Sequence, residues 1–238
     1  MQRVILYLKE LVLDILFPKF CVNCGKEGDY LCPDCFSLIE ILDRQYCPFC
    51  SAPKVVPDGK TCSSCHRTKT LKGLFCAASY DNFIIRKLVR QFKYEPFVKG
   101  LSQTLSFLII THFLRLNKTD FHSFVLVSVP QRKRKLKYRG FNPAEEIAKG
   151  LSEDLKILLL PDALVKIKQT PPQIELNKEE RKTNIKGVFA CSKPELIKNQ
   201  KILLVDDVFT TGATMEECAL TLKKAGAKEV WGAVVARG

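Results

Sequence analysis

The sequence predicts an α/β domain on a mainly parallel sheet, preceded by a small metal-held module. Three observations carry this expectation. From residue 72 onward, short apolar runs alternate with segments of helical periodicity. Four Cys-x-x-Cys pairs crowd into residues 21–65, a stretch rich in turn residues with little apolar periodicity. Near the C-terminus, a buried-type strand ends in two carboxylates followed by small and hydroxyl residues, at the edge where α/β sheets gather ligands.

The 238 residues allow one main domain and a smaller unit. With 46% hydrophobic and 26% charged residues, wholly disordered and collagen-like chains are excluded. The most apolar stretch, Val4 to Phe17, is broken by Lys9, Glu10 and Asp14 and lacks a small-residue cleavage site. No membrane span and a cytoplasmic location are therefore expected. Lys and Arg total 38 against 25 Asp and Glu, a net charge of +13 that suits a polyanionic partner. Eight thiolates on two zinc ions would bring that to about +9.

Taken in order, residues 1–20 read as an amphipathic helix ended by Pro18, with Leu8, Val12, Ile15 and Leu16 on a packing face. Residues 21–67 form the cysteine module, too small to build a core without metal or disulfides. The main domain spans 72–238. Leu74 to Tyr80 is a strand. Ile84, Ile85, Leu88 and Val89 mark a helix with Arg86, Lys87 and Arg90 opposite. Phe97 to Leu116 is a long buried helix, and Phe124 to Val129 a strand halted by Pro130. Asn142 caps a helix over residues 143–155 that has Pro143 at its first position. Lys166 to Lys186 is a polar loop containing at most a short helix. Ile202 to Val205 is a buried strand, Met215 to Ala225 a helix stopped by Gly226, and Val230 to Ala236 the last strand.

Each Cys-x-x-Cys is a tight knuckle that sets two thiolates about 2.3 Å from one metal. The first two knuckles are seven residues apart and the second two eleven. A disulfide framework is the competing reading, disfavoured without a secretory signal. Knuckles can join sequentially, interleaved or nested. Sequential pairing closes the shortest loops and gives Cys21, Cys24, Cys32 and Cys35 as one zinc site and Cys47, Cys50, Cys62 and Cys65 as the other. Such sites are closed and structural, and His66 beside Cys65 is a surface residue.

The segment Lys201-Ile-Leu-Leu-Val-Asp-Asp-Val-Phe-Thr-Thr-Gly-Ala-Thr214 is the strongest functional signal. Thr210, Thr211, Gly212, Ala213 and Thr214 can turn backbone amides onto an anion, assisted by the following helix N-terminus. Gly212 permits close approach of the backbone. Asp206 and Asp207 would repel phosphate, so beside such a cradle they serve a sugar diol or a metal. There is no Walker lysine and no GxGxxG, which argues against P-loop ATPases and dinucleotide-binding proteins.

Valine 205 to Thr214 resembles the phosphoribosyl pyrophosphate motif of type I phosphoribosyltransferases. Together with the knuckles, Leu16-Phe-Pro18, Val127-Ser-Val-Pro130, Arg139-Gly-Phe-Asn142, Thr170-Pro-Pro-Gln173 and Arg181 to Asn184, it resembles the ComF family, associated with competence and DNA uptake. That resemblance implies a type I phosphoribosyltransferase-like sheet flanked by helices behind a double zinc ribbon. It assigns the ribose hydroxyls to Asp206 and Asp207, the 5′-phosphate to residues 210–214, and pyrophosphate with magnesium to Ser128, Val129, Pro130, Gln131 and Arg132. Residues 166–186 match the mobile loop, in which Lys168 replaces a frequent Arg and loses a bidentate grip. Gln131 stands where His is frequent.

Arg132, Lys133, Arg134, Lys135, Lys137 and Arg139 form a basic run. Its first members are expected to face pyrophosphate. The later ones, with Lys133, Arg134, Lys135 and Lys137 as candidates, face solvent or single-stranded DNA. Tyr138 and Phe141 are placed to stack on bases, although burial of Phe141 is the stronger expectation. Two functions follow: a phosphoribosyltransferase, or a non-catalytic accessory protein that binds phosphoribosyl pyrophosphate or a nucleotide and handles DNA with DNA-uptake proteins. The acceptor is not named by the sequence.

Overall fold

A computed structural model describes residues 18–50, 54–56, 59–118, 120–168 and 185–238. The expected N-terminal helix lies outside them up to residue 17, as do residues 170–173 and 181–184. The cysteine region contains two short helices, α1 (Pro33–Ser37) and α2 (Ser63–His66). The main domain follows with β1 (Leu74–Ser79), α3 (Phe83–Lys93), α4 (Leu101–Arg115), β2 (Phe124–Ser128), α5 (Lys133–Arg139) and α6 (Pro143–Leu155). It closes with β3 (Leu164–Lys166), β4 (Phe189–Cys191), α7 (Pro194–Ile197), β5 (Lys201–Phe209), α8 (Ala213–Lys224) and β6 (Glu229–Arg237).

The main sheet has the order β1-β6-β5-β2, with every pairing parallel. Parallel strands joined by helices are covered on both faces, so their runs are apolar throughout rather than alternating. Leu203, Val205, Trp231, Ala233 and Phe75 face one core with α3, α4 and α6. Ile202, Leu204, Val230, Val234 and Leu74 face the other, against Met215, Cys218, Ala219 and Leu222 of α8. Helix α3 begins where Asn82 accepts from the amides of Ile84 and Ile85. It buries Ile84, Ile85, Leu88, Val89 and Phe92, and α6 has the predicted bounds and cap.

Three details differ from the sequence expectation, and the basic run, which carries no expected element, gains one. Helix α4 starts at Leu101 rather than Phe97, because Phe97 takes a left-handed φ of 55° that cannot continue a helix. Strand β5 runs on to Phe209, because its ladder with β6 continues to the Phe209–Arg237 pair. Asp206 and Asp207 therefore lie within the strand rather than at its end. The basic run is helical, closed by Gly140 at φ 81°. Lys166 does not begin a loop but ends β3, whose antiparallel partner β4 lies about twenty residues on. Three-residue strands are too short to show a period of two.

The link between the two cysteine sites is strapped to α4. His112 is fully buried, and its Nδ1–H donates to the Leu42 carbonyl at 2.7 Å. Arg115 donates to the Ile41 carbonyl at 3.0 Å. Burial holds the His112 imidazole down, from 6.5 to about 4. Because the folded value is depressed, this contribution is intact above about pH 6.5. It is lost as pH falls toward 4, where the unfolded chain takes up a proton that the folded chain refuses. The loss attributable to His112 should reach about 3 kcal/mol by pH 4. Denaturant unfolding of wild type and His112→Asn at pH 7 and pH 4 checks this: the variant should lose less stability across that interval, and an equal loss contradicts the assignment.

Candidate functional site

Both cysteine clusters have the same local build. A knuckle carries the first two thiols (Gly25 N–H to Cys21 O, 2.9 Å, in the first). The third cysteine is the N-cap of a short helix, and the fourth lies in its first turn, Cys32 and Cys35 on α1 and Cys62 and Cys65 on α2. The knuckles join sequentially, and within each set the four sulfurs lie within 4.8 Å of one another. Cys24–Cys32 and Cys50–Cys62 are 3.6 Å apart and Cys50–Cys65 3.8 Å. A tetrahedron with bonds of about 2.3 Å has edges of about 3.8 Å, so both sets fit zinc. The Cys65 amide draws the Cys62 thiol down to about 6, whereas burial and the neighbouring sulfurs push Cys65 up to about 12. Zinc would supply a cross-link in place of an apolar core, and four sulfurs fill its tetrahedron. His66 is exposed.

The second candidate site is a cleft of about 400 Å³ at the C-terminal edge of the sheet. Asp206, Asp207 and the whole 210–214 loop line it, with Val129, Pro130, Gln131 and Arg132 from the end of β2. The residues nominated for ribose, phosphate and pyrophosphate thus meet in one place. Ser128 lies buried just before them and Lys168 is exposed, neither in the lining. Lys133, Arg134 and Lys137 are exposed on α5, while Lys135 of the same helix turns toward the cleft. Tyr138 is 69% exposed, and Phe141 is buried against Phe92, with ring centroids 5.3 Å apart.

Alternation along β5 sends the two carboxylates to opposite faces of the sheet edge. Asp207 is 3% exposed, and its Oδ1 accepts from Lys93 Nζ at 2.7 Å and from the Val208 amide at 2.6 Å. Its Oδ2 is buried with no hydrogen-bond partner among the described residues. Asp206 Oδ1 accepts from the Asp207 amide at 2.9 Å. Burial and the neighbouring carboxylate push Asp206 well above the usual range, and Lys93 opposes them. Lys93, Arg132, Lys135 and Lys166 all line the cleft. Four cations against two carboxylates favour an anionic occupant. Burial, then Arg132, draws Lys166 down to about 8.

The sequence does not nominate Lys93, and it places Lys166 only at the start of the loop over residues 166–186. Lys93 carries a legible signal, because it falls four residues after Val89 on the buried stripe of α3, where a cation requires a partner. Lys166 carries none, since only the unpredicted β3–β4 hairpin directs it to the cleft. Asn142 has a second role besides its cap. Its Oδ1 accepts from the Ala144 amide at 3.2 Å, and its Nδ2 donates to the Val129 carbonyl at 3.1 Å, pinning the loop after β2.

Comparison with known proteins finds matches to both parts of the chain. A double zinc ribbon domain matches residues 12–78 and a phosphoribosyl transferase domain residues 136–238. Competence protein F of Haemophilus influenzae is 27% identical over 237 residues, covering 89% of this chain and 95% of that one. DNA utilization protein YhgH of Escherichia coli is 28% identical, covering 79% and 83%. Competence protein ComFC of Bacillus subtilis is 25% identical, covering 84% and 81%. No helix among the described residues is long and apolar enough to cross a membrane. The chain thus joins a double zinc ribbon domain to a phosphoribosyltransferase-type domain on a parallel sheet and is similar along most of its length to competence and DNA utilization proteins, which bears out its resemblance to the ComF family.

Proposed function

We propose that the cleft binds phosphoribosyl pyrophosphate with magnesium, and that the protein serves DNA uptake in competence. The observation that carries this reading is the pairing of a buried, half-satisfied carboxylate with a surplus of cations beside an amide-rich loop. A ribose diol offers two hydroxyl donors to Asp206 and Asp207. The 5′-phosphate accepts from the 210–214 loop at the start of α8. Pyrophosphate lies toward Arg132, Lys135 and Lys166, with magnesium screening it from the carboxylates. In phosphoribosyl transfer the bond from ribose C1 to pyrophosphate breaks as the acceptor's bond to C1 forms, and those cations stabilise the departing charge. The role in DNA uptake rests on relatives described as competence and DNA utilization proteins. The exposed basic side of α5 is the surface we assign to single-stranded DNA, and zinc is the ion we assign to both thiolate sites.

Three measurements test this. By calorimetry, Asp206→Asn with Asp207→Asn should weaken phosphoribosyl pyrophosphate binding at least about tenfold, from about 1.5–3 kcal/mol for each charge-assisted bond lost. Equal affinity in wild type and variant places the ligand elsewhere. Elemental analysis should find two zinc ions per chain in both proteins, and chelation should unfold the ribbon, since each site is worth about 10–16 kcal/mol. Oxidised thiols without zinc would overturn the assignment. Replacing Lys133, Arg134 and Lys137 by Ala should weaken single-stranded DNA binding and flatten its salt dependence by about two units of slope. An unchanged salt slope removes α5 from the DNA surface.

A further inference from the structure

The two thiolate sites pack on different parts of the main domain. The first lies against α4: Phe36 meets Phe107 with ring centroids 5.6 Å apart, and Tyr30 sits so close to Gly100 that an added Cβ would come within 2.7 Å of its ring. The second lies against the sheet edge that carries the 210–214 loop. Arg237, at the end of β6, donates to the Cys47 and Cys50 carbonyls, each at 3.2 Å. Both ends of the second knuckle are therefore held by a residue whose ladder partner is Phe209, the last residue of β5.

Between those two carbonyls stands Phe49. Its ring meets Phe209 edge-on, with centroids 6.0 Å apart and planes at 65°. The Phe209 ring in turn lies under Gly212, where an added Cβ would come within 2.3 Å of Cζ. A continuous line of contact thus runs from the second knuckle through two rings to the middle of the loop. A second line reaches the loop's far end. Glu216, in the first turn of α8, accepts from the amides of Thr70 at 2.6 Å and Leu71 at 3.1 Å. Those residues follow α2, which carries Cys65.

We propose that the second thiolate site is the support of the 210–214 loop, with Phe49 and Arg237 as the positioning residues through which it acts. The proposal deepens the reading of that loop as the phosphate cradle and rests on it for the effect on ligand. Amide donors bind an anion well only when they are already fixed in place. Among the described residues, the buried hydrophobic cluster at the second site is only Cys47, Val56 and Cys62, so its four-thiolate cross-link maintains the shape that presents Phe49 and the two carbonyls.

The test compares full-length Phe49→Ala, Phe49→Leu and Phe36→Ala with wild type, at a temperature well below all their thermal midpoints. Zinc content is measured throughout. Phe49→Ala should keep two zinc ions, exchange the amides of residues 210–214 about five- to tenfold faster, and bind phosphoribosyl pyrophosphate with magnesium weaker by a similar factor. Phe49→Leu, which keeps an apolar contact, should stay within about twofold of wild type. Phe36→Ala should lower the thermal midpoint while leaving loop exchange and affinity unchanged. Wild-type loop exchange in Phe49→Ala, or the same acceleration in Phe36→Ala, overturns the proposal. If Phe49→Ala sheds zinc, Arg237→Gln takes its place with every thiol intact and is judged by the same exchange rates. A wild-type chain that binds no phosphoribosyl pyrophosphate refutes the cradle reading separately, since loop exchange is measured without ligand.

Discussion

A carboxylate sealed beneath the end of a parallel sheet must be matched by a cation, and the contact of Lys93 with Asp207 meets that demand here. Much of the domain's layout follows from it. Helix α3 has to end at the sheet's ligand edge, so its start is fixed by the Asn82 cap and its length by the buried stripe from Ile84 to Phe92. Removing one partner of such a pair leaves an uncompensated buried charge, at a cost of about 3–5 kcal/mol. The same pair sets the chemistry of the cleft. Lys93 occupies one oxygen of Asp207 and leaves the other buried and without a hydrogen-bond partner among the described residues.

The layers of the fold were legible because parallel strands and amphipathic helices write their burial directly into hydrophobic pattern. Helix α6 was readable to the residue from Asn142 and Pro143. The thiolate sites were legible for a different reason: ligand spacing is a covalent constraint, visible without any knowledge of packing. Elements whose stability comes from elsewhere were not legible. The β3–β4 hairpin pairs segments separated by a long insertion, and neither strand is long enough to announce itself. Helix α5 buries none of its own residues, so it has no apolar face to read.

The same limits apply at the site. Residues contributed by one continuous motif, from Asp206 to Thr214, could be identified together because they adjoin in sequence. Lys93 and Lys166 arrive from α3 and β3, and only the folded chain joins them to Asp207. Asn142 illustrates an intermediate case. Its cap was visible locally, whereas its bond to Val129 spans thirteen positions and depends on how β2 meets α6.

The seam between ribbon and sheet has its own consequence. The Lys72 amide donates to the Val230 carbonyl, the Gly232 amide to the Gly73 carbonyl, and the Thr61 amide to the Lys72 carbonyl, while Glu216 accepts from Thr70 and Leu71. The connecting segment is stitched along β6 and into α8 rather than strung between two bodies. A chain severed there would leave the Val230 carbonyl and the Gly232 amide at the start of β6 without their partners, and a carboxylate of α8 without its two donors. The ribbon is therefore not a detachable cassette that recombination can pass intact to another sheet. A substitution on one side of the seam therefore acts on the stability of the other, because the two share these hydrogen bonds.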